Sequence, residues 1–476
     1  MSSAAATHWQ ANAPSILGEF AELLAIPNVA ADPAALERVA GWIQAAMTSR
    51  GIDAEVVSLD GAPPVVVGRI EGVADAPTIG IYAHYDGQPV APERWASPPF
   101  TPTLLTRKLE DGGEEIAFPM AGEPVDPDWR LYARGSSDDR APIVVLLAAL
   151  DAVPKRHNNV VFLFEGEEET GSPHLGEYLA HLDERLQADI WLICDGPVHQ
   201  SGRAQVVLGV RGFAEIEIEV FGPPHDLHSG HYGETAVNPG VGLAELIVSM
   251  RDADGRLHVA GLEGPPLSET ELVAAAAVPD PEDLGFVVNP DGSYAERLLH
   301  PLLNLRGLVS ADVGDAARNV VPASAIASID LRLVAGQDPA QMIEAVRAHV
   351  SAQGYHLVDS LPTTAERLEH RRLARVTGIA GYPGVRTSPD DSMVRGVVEL
   401  VTSVTDEPPL LLPSFGGSVP LHHFVEHLDA PLVILPIANH DNNQHSENEN
   451  IRVGNLRYGL EVMVALLGGG DEPASG

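Results

Sequence analysis

A chain of 476 residues is too long to close around a single core, so two domains are expected. Its formal net charge of −38 repels phosphate backbones, which argues against nucleic acid and anionic membranes as partners. Cys194 is the sole cysteine, so no internal disulfide can form and a reducing, cytoplasmic compartment is expected; no long apolar run offers a membrane span, and Met1 to Ala13 holds no basic-then-apolar leader.

In chain order, residues 14–26 carry apolar side chains at helical spacing and stop before Pro27. A second helix is expected from about Pro33 to Arg50, closed by Gly51. Val56-Val57 and Pro64 to Ile70 read as strands. From Thr78 to Gly87, Ile79, Ile81 and Ala83 alternate as in a buried strand, and the two-residue period puts His84 and Asp86 on one face. An imidazole and a carboxylate at the carboxyl end of a strand make half of a metal site; they read equally as a polar strand end meeting water. Residues 87–130 show little periodicity, a long excursion of the kind that often carries function.

Pro142 sits near the start of a helix with Ile143, Val144, Leu146, Leu147 and Leu150 on its buried face. Asp138 and Asp139 then lie at its N-terminus, where one of them is expected to act as a cap. Val160 to Phe164 is a continuous apolar run, as in a parallel strand buried on both faces, and it leads at once into the acidic Glu165-Gly166-Glu167-Glu168-Glu169. Asp189 to Gly196 repeats the pattern and ends in Asp195. Leu432 to Leu435 is another such strand, leading to a polar loop with His440 and His445. In an open α/β sheet such strand ends gather on one side, where ligands bind.

The middle of the chain has a different texture. Glu215 to Val220 alternates acid and apolar, the mark of a one-sided antiparallel strand, and Ser324 to Val334 alternates similarly. Helical patterns lie near 240–251 and 339–353. The fold class expected is α/β: a mostly parallel sheet with helices on both faces, formed by residues 1–210 and 388–476, and an α+β domain inserted at 211–387.

Two metal ions about 3.5–4 Å apart that share a carboxylate need roughly two imidazoles and three or more carboxylates, and the strand ends supply that inventory. Nitrogen and carboxylate ligands favour zinc, with cobalt or manganese as alternatives. No phosphate-binding glycine loop and no G-x-S-x-G elbow is present.

The motifs His84-Tyr85-Asp86, Arg134-Gly135-Ser136-Ser137-Asp138-Asp139, Glu168-Glu169-Thr170-Gly171-Ser172, Asp195 and His445-Ser446-Glu447-Asn448-Glu449 together resemble the two-zinc metallopeptidases and deacylases. That family includes carboxypeptidase G, succinyl-diaminopimelate desuccinylase, acetylornithine deacetylase and carnosine dipeptidase. The resemblance runs from the helix at 14–26 to His445, and the segment Gly87 to Trp129 with Asp226-Leu227-His228-Ser229-Gly230 is most similar to the dipeptidase branch.

The resemblance implies that His84 and Asp195 bind one metal, that Glu169 and His445 bind the other, and that Asp138 bridges them. It implies Asp86 orienting His84 through its second ring nitrogen, and Glu168 as the general base. The bond from Asp138 to Asp139 is expected to be cis. The inserted domain resembles the family's lid and dimerisation domain, so a homodimer is expected. His228 would reach the oxyanion from the partner subunit, and Arg332 would grip the substrate carboxylate, with Asn319, Gly417 and Ser418 as further candidates for that contact. His225, His228 and His231, three apart, could also form a third metal site, although solvation is the simpler reading of His225 and His231.

Two departures from the family stand out. Arg140-Ala141 replaces the common Lys-Gly, which should affect packing, and no counterpart of a second lid histidine is found near 380–390. The remaining histidines, including His422 and His423, read as structural or solvated. The function expected is a metal-dependent hydrolase of dipeptides or small peptides with a free carboxylate. The alternatives are a deacylase of N-acyl amino acids and a metal-binding scaffold without activity.

Overall fold

Four apolar strands lie side by side and parallel at the centre of the molecule: Asn159–Glu165, Thr78–His84, Ile190–Ile193 and Leu432–Ile434. The computed structural model describes residues 3–281, 292–417 and 419–468. The four strands form the middle of an eight-stranded sheet. It is extended on one side by Val65–Ile70 and Asp53–Val57, and on the other by Gln205–Val207 and Leu410–Leu412. The antiparallel pairings lie outside the central four, so the sheet is mixed with a parallel heart.

The two faces of that sheet bury alternate residues of the same strands. Val160, Phe162 and Phe164 enter one core with the helices Ser3–Leu24, Ala141–Ala152 and Val453–Gly468. Val161 and Leu163 enter the other, with Leu175–Leu182 and His422–Leu428. Burial on both faces is why these strands read as unbroken apolar runs.

Three local expectations need correction. The first helix begins at Ser3, not at residue 14, and carries Pro14 within it. Ala5, Trp9, Ala13, Ile16, Leu17 and Phe20 form one buried stripe, and that packing outweighs the roughly 3 kcal/mol cost of an interior proline. Residues 87–130 hold more order than their pattern suggested: Thr103–Leu105 and Glu115–Ile116 join Arg130–Tyr132 and Asn450–Arg452 in a second, four-stranded sheet. The cap of the helix Ala141–Ala152 is Arg140, which makes no side-chain cap bond, so neither Asp138 nor Asp139 caps it.

A third sheet of five strands has the order Leu302–Val309, Ser324–Leu333, Gly212–Phe221, Leu373–Tyr382, His356–Leu357. Its one buried face packs against the helices Pro239–Met250 and Pro339–Ala352. Ile216 and Ile218 enter that core, while Glu215 and Glu217 point away from it. The chain leaves for this sheet at Gly209–Val210 and returns at Val385–Arg386, and these two short strands pair with each other. Among the described residues no helix is long and apolar enough to cross a membrane.

Candidate metal centre

The parallel heart of the sheet delivers its polar ends to one place. His84 closes the strand Thr78–His84, Asp195 follows Ile190–Ile193, and His445 lies in the loop after Leu432–Ile434. Asp138 stands before the helix Ala141–Ala152, joined to Asp139 by a cis peptide bond. Glu168 and Glu169 form a single turn, Glu168–Thr170, just beyond Asn159–Glu165, and the turn closes on Gly171 at φ 87°, a conformation that glycine adopts without strain.

Asp138 sits between two histidines. Its Oδ1 lies 2.9 Å from His84 Nε2 and its Oδ2 lies 3.0 Å from His445 Nε2. Two groups of ligand atoms result, each within a 4.8 Å span: His84, Asp138 and Asp195, and Asp138, Glu169 and His445. Asp138 belongs to both. The five residues named for metal binding therefore come together. Glu168 stands beside them, with Oε2 4.0 Å from His84 Nε2, and enters neither ligand group.

The supporting shell is more specific than the sequence reading suggested. Asp86 lies 3.3 Å from His84 Nδ1 and also accepts the backbone amides of Glu168 and Glu169, at 3.2 and 3.1 Å. One carboxylate thus holds His84 and the acidic turn in register. Glu449 is fully buried; it accepts the amides of Gly135, Ser137 and Asp138 and pairs with Arg134 at 2.7 Å. Gln88 donates to Glu169 at 2.7 Å. Buried Arg140 donates to the carbonyls of Tyr85, Leu23 and Ile26, tying the end of the first helix to the His84 strand.

The donor set fits divalent cations. Asp195 Oδ1 is buried without a hydrogen-bond partner, an expense that a cation would remove. Burial, then the Asp138 charge, pushes Glu169 up to about 7. Burial also drives Glu168 well above the usual carboxylate range; His84 opposes this and Asp195 adds to it. A hydrogen bond to Asp138 raises His445 to about 8. So many acids in one buried place repel one another, and positive charge is what the site lacks.

The residues on the five-stranded sheet are arranged differently. His228 is exposed; its Nδ1 accepts the Gly230 amide and its ring lies 4.7 Å from that of His231. Among the described residues, the groups able to hold a cation include none of His225, His228 and His231, which removes the third-site reading there. Arg332 bonds Asp330 at 3.1 Å. Asn319 is exposed and its carbonyl accepts the Ser229 amide. Gly417 is exposed with its carbonyl on the Arg211 amide, and Ser418 lies outside the described residues.

Tyr382 escaped the sequence reading. It pairs across the sheet with Phe213, which pairs in turn with Arg332. Burial, then the charge of Glu168, pushes its phenol up to about 12. An isolated tyrosine at a strand end carries no motif, so no pattern could have revealed it.

The comparisons with known proteins agree with the geometry. A Cys-Gly metallodipeptidase of Schizosaccharomyces pombe is 25% identical over 480 residues, covering 92% of each chain. A human Beta-Ala-His dipeptidase is 24% identical, covering 85% of this chain and 77% of its own. The crystal structure of an M20 family metallo-carboxypeptidase from Sulfolobus solfataricus superposes with a TM-score of 0.70 at 26% identity, covering 95% of this chain and 98% of that one. The pattern of Peptidase family M20/M25/M40 matches residues 80–468, most of the length, and the chain belongs to that family.

Proposed function

We propose that this chain is a dinuclear metallodipeptidase, and the observation that carries the reading is Asp138 shared by two ligand groups with Glu168 left free beside them. His84 and Asp195 would hold one cation and Glu169 and His445 the other, with Asp138 shared between the two sets. Zinc suits two imidazoles and three carboxylates; cobalt or manganese would also fit. A bound pair of cations supplies Lewis acidity, acidifying water and polarising the scissile carbonyl.

Glu168 takes the proton of the attacking water and passes it to the amine nitrogen as the carbon–nitrogen bond breaks. Asp86 keeps the His84 ring and the Glu168 backbone in place. Arg332 binds the substrate's free carboxylate, with Asn319, Gly417 and Ser418 as further contacts. Residues 1–210 and 388–476 form the metal-binding unit, and 211–387 a lid on the hinge at Gly209–Val210 and Val385–Arg386. A homodimer forms through the lid, whose exposed Leu308, Val309 and Ile379 offer apolar surface. With its single cysteine the protein suits a cytoplasmic setting.

The similarity to relatives named as Cys-Gly and Beta-Ala-His dipeptidases supports dipeptides as the substrate class. A panel of dipeptides and N-acyl amino acids, assayed with added zinc, tests it. Faster turnover of dipeptides is expected; turnover of N-acyl amino acids alone would replace the reading with a deacylase.

A further inference from the structure

His422 and His423 are adjacent on the helix His422–Leu428, and Glu426 follows one turn later. On the sequence they read as structural or solvated. The structure places their rings 3.9 Å apart, tilted by 37°. His423 Nδ1 lies 3.9 Å from Glu426 Oε2. The Nδ1 atoms of both histidines are buried and neither has a hydrogen-bond partner. One ligand atom from each of His422, His423 and Glu426 comes within 4.8 Å of the other two.

A packed histidine ordinarily satisfies its buried nitrogens, and two adjacent ones leaving Nδ1 atoms unpaired call for a shared acceptor of lone pairs. Bonds of about 2.0–2.2 Å to one ion set ligand atoms roughly 3–4 Å apart, which is the spacing of His423 and Glu426. Glu426 is 57% exposed, which leaves water room to complete the coordination. None of the three residues belongs to the groups built on Asp138.

We propose that His422, His423 and Glu426 form a further cation site, taking one divalent transition-metal ion of the zinc, cobalt or nickel class, separate from the dinuclear centre. The His422 ring stacks on Tyr382 at 5.3 Å and 9°. An ion here therefore fixes the ring on which the five-stranded sheet rests its Tyr382.

Metal analysis of the full chain without an affinity tag, loaded with zinc and desalted, tests the site. The unsubstituted protein should retain one more ion than His423→Gln or Glu426→Gln, and Asp138→Asn should keep that extra ion while losing ions from the dinuclear centre. Glu426 is largely exposed, so its variant should fold, and thermal melts in chelator should coincide for all forms. Equal zinc content in the unsubstituted protein and in both variants would overturn the proposal. The difference between them judges this site whatever the dinuclear centre holds.

Discussion

The carboxylate of Glu449 accepts the backbone amide of Asp138 at 3.0 Å, so the residue shared by both ligand groups is positioned through its own main chain. The same carboxylate pairs with Arg134, whose side chain is 3% exposed. Removing one partner of a buried ion pair leaves the other uncompensated, at a cost of about 3–5 kcal/mol. Glu449→Ala should lose that much in denaturant unfolding measured in chelator, where no metal contributes. A loss under about 1 kcal/mol would mean that the Asp138 loop holds itself.

Glu168 lies outside both ligand groups although Glu169 lies inside one. Glu168→Gln should therefore keep its metal, while kcat falls by at least about 10²-fold. Metal analysis and steady-state kinetics on the same sample check this. Metal lost with activity would make Glu168 a ligand; metal and activity both retained would favour a scaffold.

Cation binding must displace protons. In the metal-free chain His445 holds its proton up to about 8 and Glu169 up to about 7. Both must be deprotonated to ligate, so metal affinity should fall as pH drops from about 8 to below 7, and binding should release protons into the buffer. Calorimetry in two buffers of different ionisation enthalpy reads that release. Identical heats in the two buffers would contradict it.

Arg140 is wholly buried and gives its hydrogens to three carbonyls, with burial holding its guanidinium down to about 9. A lysine is a point charge that lacks the planar fork, so even Arg140→Lys should destabilise, by roughly 1–3 kcal/mol. The chemical midpoint of unfolding is the measurement; an unchanged midpoint would show that the first helix docks without it.

The candidate centre was readable because of where its residues sit. A strand buried on both faces writes an unbroken apolar run, and His84, Glu168, Glu169 and Asp195 each stand within a few residues of such a run's end. Contacts between distant segments left no such trace. Glu449 was read within the His445 motif, but its pairing with a turn more than 300 positions earlier in the chain left no sign. Tyr382 and His422 meet face to face although nothing near either residue announces the other. Pro14 misled because breaker rules weigh local cost alone, whereas the buried stripe from Ala5 to Phe20 is a tertiary gain.

His228 is exposed, with its ring against Gly230 and His231, and in the proposed homodimer it would act at the centre of the second copy. In a two-fold dimer each site would then hold Glu168 from one protomer and His228 from its partner. Glu168→Gln and His228→Ala should each be nearly inactive alone. A mixed dimer of the two carries one site with both substitutions and one with neither. Random mixing makes about half of the dimers mixed, each with one intact site, so about a quarter of full activity should return. Unfolding is not needed for exchange if protomers dissociate at low concentration, and a co-expressed pair serves if they do not. Recovery absent from a verified mixed dimer would place His228 at its own chain's site or outside catalysis, and full activity in a sedimenting monomer would remove the cross-subunit role altogether.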